Sequence, residues 1–134
     1  MNESIRESGV DDDRPTFPDD PATQHSHLSR LILELGAAVY ACEPVGALDF
    51  LARGLLDDAR EHFRAEEEVM QETGYPALDE HRQQHTSLLA RIEVIRNSFS
   101  SGASSSGMTE LAAAFSLHEQ TMDEEMLRYF RGFK

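Results

Sequence analysis

The sequence predicts an all-α fold, an antiparallel up-down-up-down four-helix bundle with a disordered acidic N-terminal tail. Three observations predict it. Apolar residues recur at steps of three and four over four separate stretches. Helix-stopping residues divide those stretches at Glu43-Pro44, at Gly74-Tyr75-Pro76 and in the serine-rich run 98–107. No segment alternates with period two over a useful length, so no sheet is expected. Short connections then make consecutive helices antiparallel neighbours.

A chain of 134 residues is long enough for one domain with a single core. Residues 1–21 combine Glu3, Glu7, Asp11, Asp12, Asp13, Asp19 and Asp20 with several prolines and few large apolar groups. Such a segment cannot bury enough surface to offset its ordering entropy, so it reads as a flexible acidic tail ahead of a bundle spanning 22–134. The tail is also a candidate docking arm for a basic protein partner.

The first helix opens at Pro21 or Thr23 and runs to about residue 41. Its apolar stripe is Leu28, Ile32, Leu35 and Val39, with His25 one turn earlier on the same stripe. Stepping from His27 instead meets Glu34, which places His25 inward and His27 outward. The second helix, about 45–73, starts its stripe with Leu48, Leu51, Leu55 and Ala59 and ends it with His62, Glu66 and Val69/Met70. Glu61, Glu67 and Glu68 lie off that stripe and read as a solvated face. Gly74 suits a left-handed helix terminus, and Pro76 a first helical position. The third helix, about 77–98, carries Leu78, His81, His85, Leu88/Leu89, Ile92 and Ile95 on one face. The serine-rich run follows as a loop. The fourth helix, about 109–131, presents Leu111, Phe115, His118, Met122, Met126 and Tyr129 inward, with Asp123 beside them.

The composition excludes several classes of function. Lys and Arg number 12 against 25 Asp and Glu, a net charge of −13. That surface repels phosphate backbones and anionic headgroups, so neither nucleic acid nor a membrane is an expected partner. No apolar run has the length of a signal core or a membrane span. The single cysteine, Cys42, cannot close an internal disulfide and points to a reducing compartment; a soluble cytoplasmic protein is expected.

The chemistry concentrates in Glu61 to His85. His62/Glu66 and His81/His85 are pairs four apart, so each pair shares a helix face. Counted along a hairpin bent at Gly74–Pro76, the pairs lie roughly 15 Å and 14 Å from the bend, at one level. His25 and His62 are each roughly 28 Å from the Glu43-Pro44 bend, and His118 reaches a compatible level. A lone buried histidine is more often a hydrogen-bonded core residue; a whole layer of inward imidazoles and carboxylates argues for ligation. Such a set exceeds the needs of one tetrahedral structural zinc and suits two ions sharing bridging carboxylates. Imidazole-rich, thiolate-free ligation suits iron, with manganese, zinc or copper also open.

His118 and Asp123 are five apart, about 140° around an ideal helix. They could straddle a two-metal site, or a π-bulge could bring them together. The competing carboxylates on this helix are Glu119, far from the stripe, and Glu125, two turns from His118. The Glu-x-x-His pairs of ferritin-like sites are absent, since Ala59, Leu78, Arg82 and Phe115 precede the histidines by three. No HExxH occurs either.

His25 in QHSHL, HFRAEE from His62, GYP followed by HRQQH, and His118-x-x-x-x-Asp123 together resemble the hemerythrin family, and more narrowly its single-domain bacterial members, over about residues 24–130. The pattern departs at Ala22-Thr23, where Ile-Asp is usual, and at Ala114, where tryptophan is common. The resemblance implies a non-heme pair of iron ions joined by an oxo or hydroxo bridge. His81, His85 and His118 would hold one iron, and His25 and His62 the other, which keeps an open position. Glu66 and Asp123 would bridge the two. It further implies dioxygen as the ligand, bound reversibly for storage, delivery or sensing, with redox turnover of peroxide or nitric oxide as the enzymatic alternative. From the stripes, Leu28, Ile32, Phe63, Phe115 and Met122 are the expected apolar pocket.

Overall fold

The computed structural model describes residues 21–102 and 105–132. Residues 1–20 of the expected tail lie outside them. The chain forms α1 (Pro21–Tyr40), α2 (Val45–Thr73), α3 (Leu78–Asn97), a short 3₁₀ turn (Phe99–Ser101), α4 (Ser105–His118), a π segment (Glu119–Asp123) and α5 (Glu124–Arg131). No strand occurs among the described residues. α1 packs on α2 and α4, and α3 on α2 and α4, which closes a four-helix bundle in chain order. His118, Asp123 and Glu124 all keep right-handed helical dihedrals, so α4, the π segment and α5 form one continuous fourth rod. No described helix is long and apolar enough to cross a membrane.

Both tight bends use the same device. Gly74 takes φ 68°, its N–H reaches the Gln71 carbonyl at 3.3 Å, and the Tyr75 N–H reaches Met70 at 2.9 Å. These are the paired bonds of a Schellman ending, which satisfy carbonyls the helix would otherwise orphan. At the first bend Cys42 occupies the same left-handed position with φ 58°; its N–H bonds Val39 and that of Glu43 bonds Ala38, each at 3.0 Å. A side chain in that region is strained, because its Cβ crowds the carbonyl. Cys42 is exposed, so its sulfur fills no core space.

Two boundaries differ from expectation. Helix three begins at Leu78, with Pro76 left in the turn. The fourth helix begins at Ser105, ahead of the expected 109, and the serine-rich loop is correspondingly shorter. Phe99, 4 % exposed, anchors the 3₁₀ turn in the core, and Gly102 at φ 94° ends it. Buried Met108 gives the early turns of α4 a packing contact, which outweighs the weak helix preference of serine.

The core falls into two apolar clusters with a polar layer between them. In the larger cluster Leu35, Leu55, Ile92 and Leu111, one from each rod, are almost completely inaccessible. Each such side chain contributes roughly 1.5–3 kcal/mol by leaving water. The smaller cluster holds Val69, Met70, Tyr75, Met126 and Phe130. Along α2, Phe63 belongs to the first cluster and Val69 to the second, and Glu66 sits between them. Two of the other rods repeat the sequence, with His81 and His85 preceding Leu88, and His118 and Asp123 between Phe115 and Met126.

Candidate metal centre

Helix geometry delivers the polar layer. His62 and Glu66 share a face of α2, His81 and His85 a face of α3, and all four are buried. On the fourth rod His118 and Asp123 converge because the residues between them are wound as a π turn. That winding places position i+5 below position i. His118 Nε2 then lies 3.1 Å from Asp123 Oδ1. The π turn, one of two readings the spacing left open, is the one the chain adopts. It also rotates the helix beyond it, so that Phe130 is buried while Tyr129 is only partly so.

Each of the four described rings, His62, His81, His85 and His118, presents Nε2 to a carboxylate. Glu66 Oε2 lies 2.7 Å from His62 Nε2, while Glu66 Oε1 lies 3.1 Å from His85 Nε2 and 3.6 Å from His81 Nε2. Asp123 Oδ1 is shared between His81 Nε2 at 2.9 Å and His118 Nε2 at 3.1 Å. Donor atoms of Glu66, His81, His85, His118 and Asp123 all lie within 4.8 Å of one another. His62 meets the other oxygen of Glu66 and lies outside that group. The side chain of His25 lies outside those the structure describes. His27 points away from the layer and contacts Asp58 at 2.9 Å on the surface.

The donor set fits a cation. His85 Nε2 and His118 Nε2 are buried and close to carboxylates, yet make no hydrogen bond. Buried polar nitrogens without such bonds are costly, and a cation between imidazole and carboxylate removes that cost while neutralising the acids. Phe63 fixes one ring directly, stacking on His85 with centroids 3.9 Å apart and planes 4° from parallel.

A pocket with a cavity volume of about 10 Å³ reaches the layer at His62, His118 and Asp123. Leu28, Ser29, His62, Phe63, Phe115, His118, Glu119 and Asp123 line it. Leu28, Phe63 and Phe115 are thus three of the five apolar residues expected there. Ile32 and Met122 do not line it. Ile32 is one turn further along α1, packed in the larger apolar cluster. Met122 lies within the π segment, where the wider winding gives the inward position to Asp123 and leaves Met122 half-buried.

Sequence reasoning also missed Glu67. Placed there on a solvated face, it instead contacts His85 Nδ1 at 2.7 Å and Arg82 Nε at 3.4 Å. Its position next to Glu66, on the flank of α2 facing α3, was the available signal.

A helical bundle that converges buried imidazoles and carboxylates from three of its four rods on one layer has the donor set to hold a metal ion. Residues 20–130 match the hemerythrin family, described as the hemerythrin HHE cation binding domain, and the chain belongs to it. No curated protein and no solved structure shows a significant match to the chain.

Proposed function

We propose that this protein binds dioxygen reversibly at a non-heme di-iron centre, in oxygen storage, delivery or sensing. The observation that carries the proposal is the division of Glu66, with Oε2 turned to His62 and Oε1 to His81 and His85. One carboxylate facing two separate imidazole groups is the arrangement of a bridging ligand. His81, His85 and His118 would hold one iron, and His62 with His25 the other, Glu66 and Asp123 lying between. The place of His25 rests on the family pattern. When bound, the iron pair supplies the electrons that make oxygen binding possible and reversible.

The chain's own residues set the conditions. Leu28, Phe63 and Phe115 give the pocket beside His62 apolar walls, and its small volume favours a small ligand. His62, which lines the pocket together with His118 and Asp123, would belong to the metal that small ligands reach. Lone Cys42 supports a reducing, cytoplasmic setting.

The test is optical. The iron-loaded reduced protein gains a visible absorption band in air and loses it under vacuum, over repeated cycles. An iron-loaded protein that consumes oxygen, peroxide or nitric oxide continuously with a reductant, and forms no reversible adduct, would instead be an enzyme.

A further inference from the structure

We propose that Glu67 is a positioning residue, which accepts the Nδ1–H of His85 and thereby turns a bare Nε2 toward the metal layer. The proposal rests on the reading of that layer as a metal centre. A carboxylate can only accept, so the 2.7 Å contact assigns the ring proton to Nδ1. In a neutral imidazole this leaves Nε2 as a lone pair, the form a metal requires. An independent observation agrees: His85 Nε2 comes within 3.1 Å of Glu66 Oε1 but makes no hydrogen bond to it.

Of the three rings on α3 and the fourth rod, His85 is the one that shows this contact. His85 is 1 % exposed and stacked on Phe63, so it reaches few other acceptors. Nδ1 of His81 and Nδ1 of His118 make no hydrogen bond among the described residues, so neither of those rings is held this way. Arg82 Nε donates to Glu67 Oε1 at 3.4 Å while Oε2 receives His85, so each carboxylate oxygen has its own task. Neighbouring Glu68 and Glu61 are turned to Arg64 instead, at 3.4 Å and 2.7 Å. Glu67 therefore aligns a ligand without touching the metal.

The test has two readouts on the full chain. In metal-free protein, ring nitrogen NMR of His85 shows Nδ1–H in the wild type and in Glu67→Gln, whose amide oxygen still accepts, and shifts toward Nε2–H in Glu67→Ala. In chelator competition with zinc, Glu67→Ala lowers affinity roughly 10–100-fold, Glu67→Gln recovers most of it, and Glu68→Ala matches the wild type. An unchanged His85 tautomer in Glu67→Ala, or an equal loss in Glu68→Ala, overturns the proposal. A wild type that binds no metal overturns the metal reading, and the tautomer measurement still judges the Glu67 contact.

Discussion

His118 Nε2 lies 3.1 Å from Asp123 Oδ1 because the chain between them is wound as a π turn rather than an α turn. On a regular helix the two would diverge by about 140°. The wider winding opens the regular hydrogen-bond ladder locally, and packing on both sides holds it, with Phe115 before it and Met126 after it in separate apolar clusters. What it gains is a carboxylate shared by His81 and His118, on two different rods.

Asp123→Asn tests that sharing. The amide keeps the shape but loses the charge between the two imidazoles. The variant should keep its helical circular dichroism and lose metal affinity by roughly tenfold or more. Affinity equal to wild type would mean that Asp123 holds no metal.

His62 and His81 lie on opposite oxygens of Glu66, and their replacements should therefore differ. His62→Ala should empty the metal position beside the pocket and leave the other occupied. His81→Ala should weaken the position formed with His85 and His118. Metal analysis of the two purified variants distinguishes them; identical metal contents at wild-type level contradict the assignment.

Much of this centre was legible because α-helical spacing is a strict geometric rule. His62/Glu66 and His81/His85 had to share faces, and counting from the bends placed them level. The same rule failed where the helix departs from it: the π turn made i+5 the inward position, so Met122 and Tyr129 were expected further inside than they lie. Glu67 escaped notice for another reason. Stripe counting separates inside from outside, but Glu67 sits on the flank, where only the approach of α3 shows what it meets. The early start of α4 was hidden because serines are read by local preference, whereas Phe99 and Met108 fix that segment by burial.

Cys42 should be replaceable with a gain in stability. Glycine at a φ of 58° removes the Cβ clash, partly offset by the greater freedom of an unfolded glycine. Cys42→Gly should stabilise the fold by about 0.5–1 kcal/mol in thermal melts. A lower melting temperature would show that the left-handed turn is not strained.

The acid stability of the bundle should depend on Asp49. Arg96 Nε donates to its Oδ1 at 2.7 Å, joining α3 to α2. That hydrogen bond holds the Asp49 carboxyl below its ordinary value of 3.8, against a smaller opposing push from burial. A folded-state value below the unfolded one stabilises above the unfolded value, and that contribution fades as pH falls through the folded value. Asp49→Asn should therefore melt lower than wild type at neutral pH, and the difference should close as pH falls through the lowered folded-state value. A melting difference independent of pH would contradict this origin.

The most direct measurement is the metal-to-protein ratio of the iron-reconstituted chain, taken together with its thermal melt before and after chelation. If Glu66 and Asp123 bridge two ions, each chain holds two irons, and removing them lowers the melting temperature because binding energy is coupled to folding. A chain that saturates with a single iron, or whose melt is unchanged by chelation, would contradict a bridged two-metal centre.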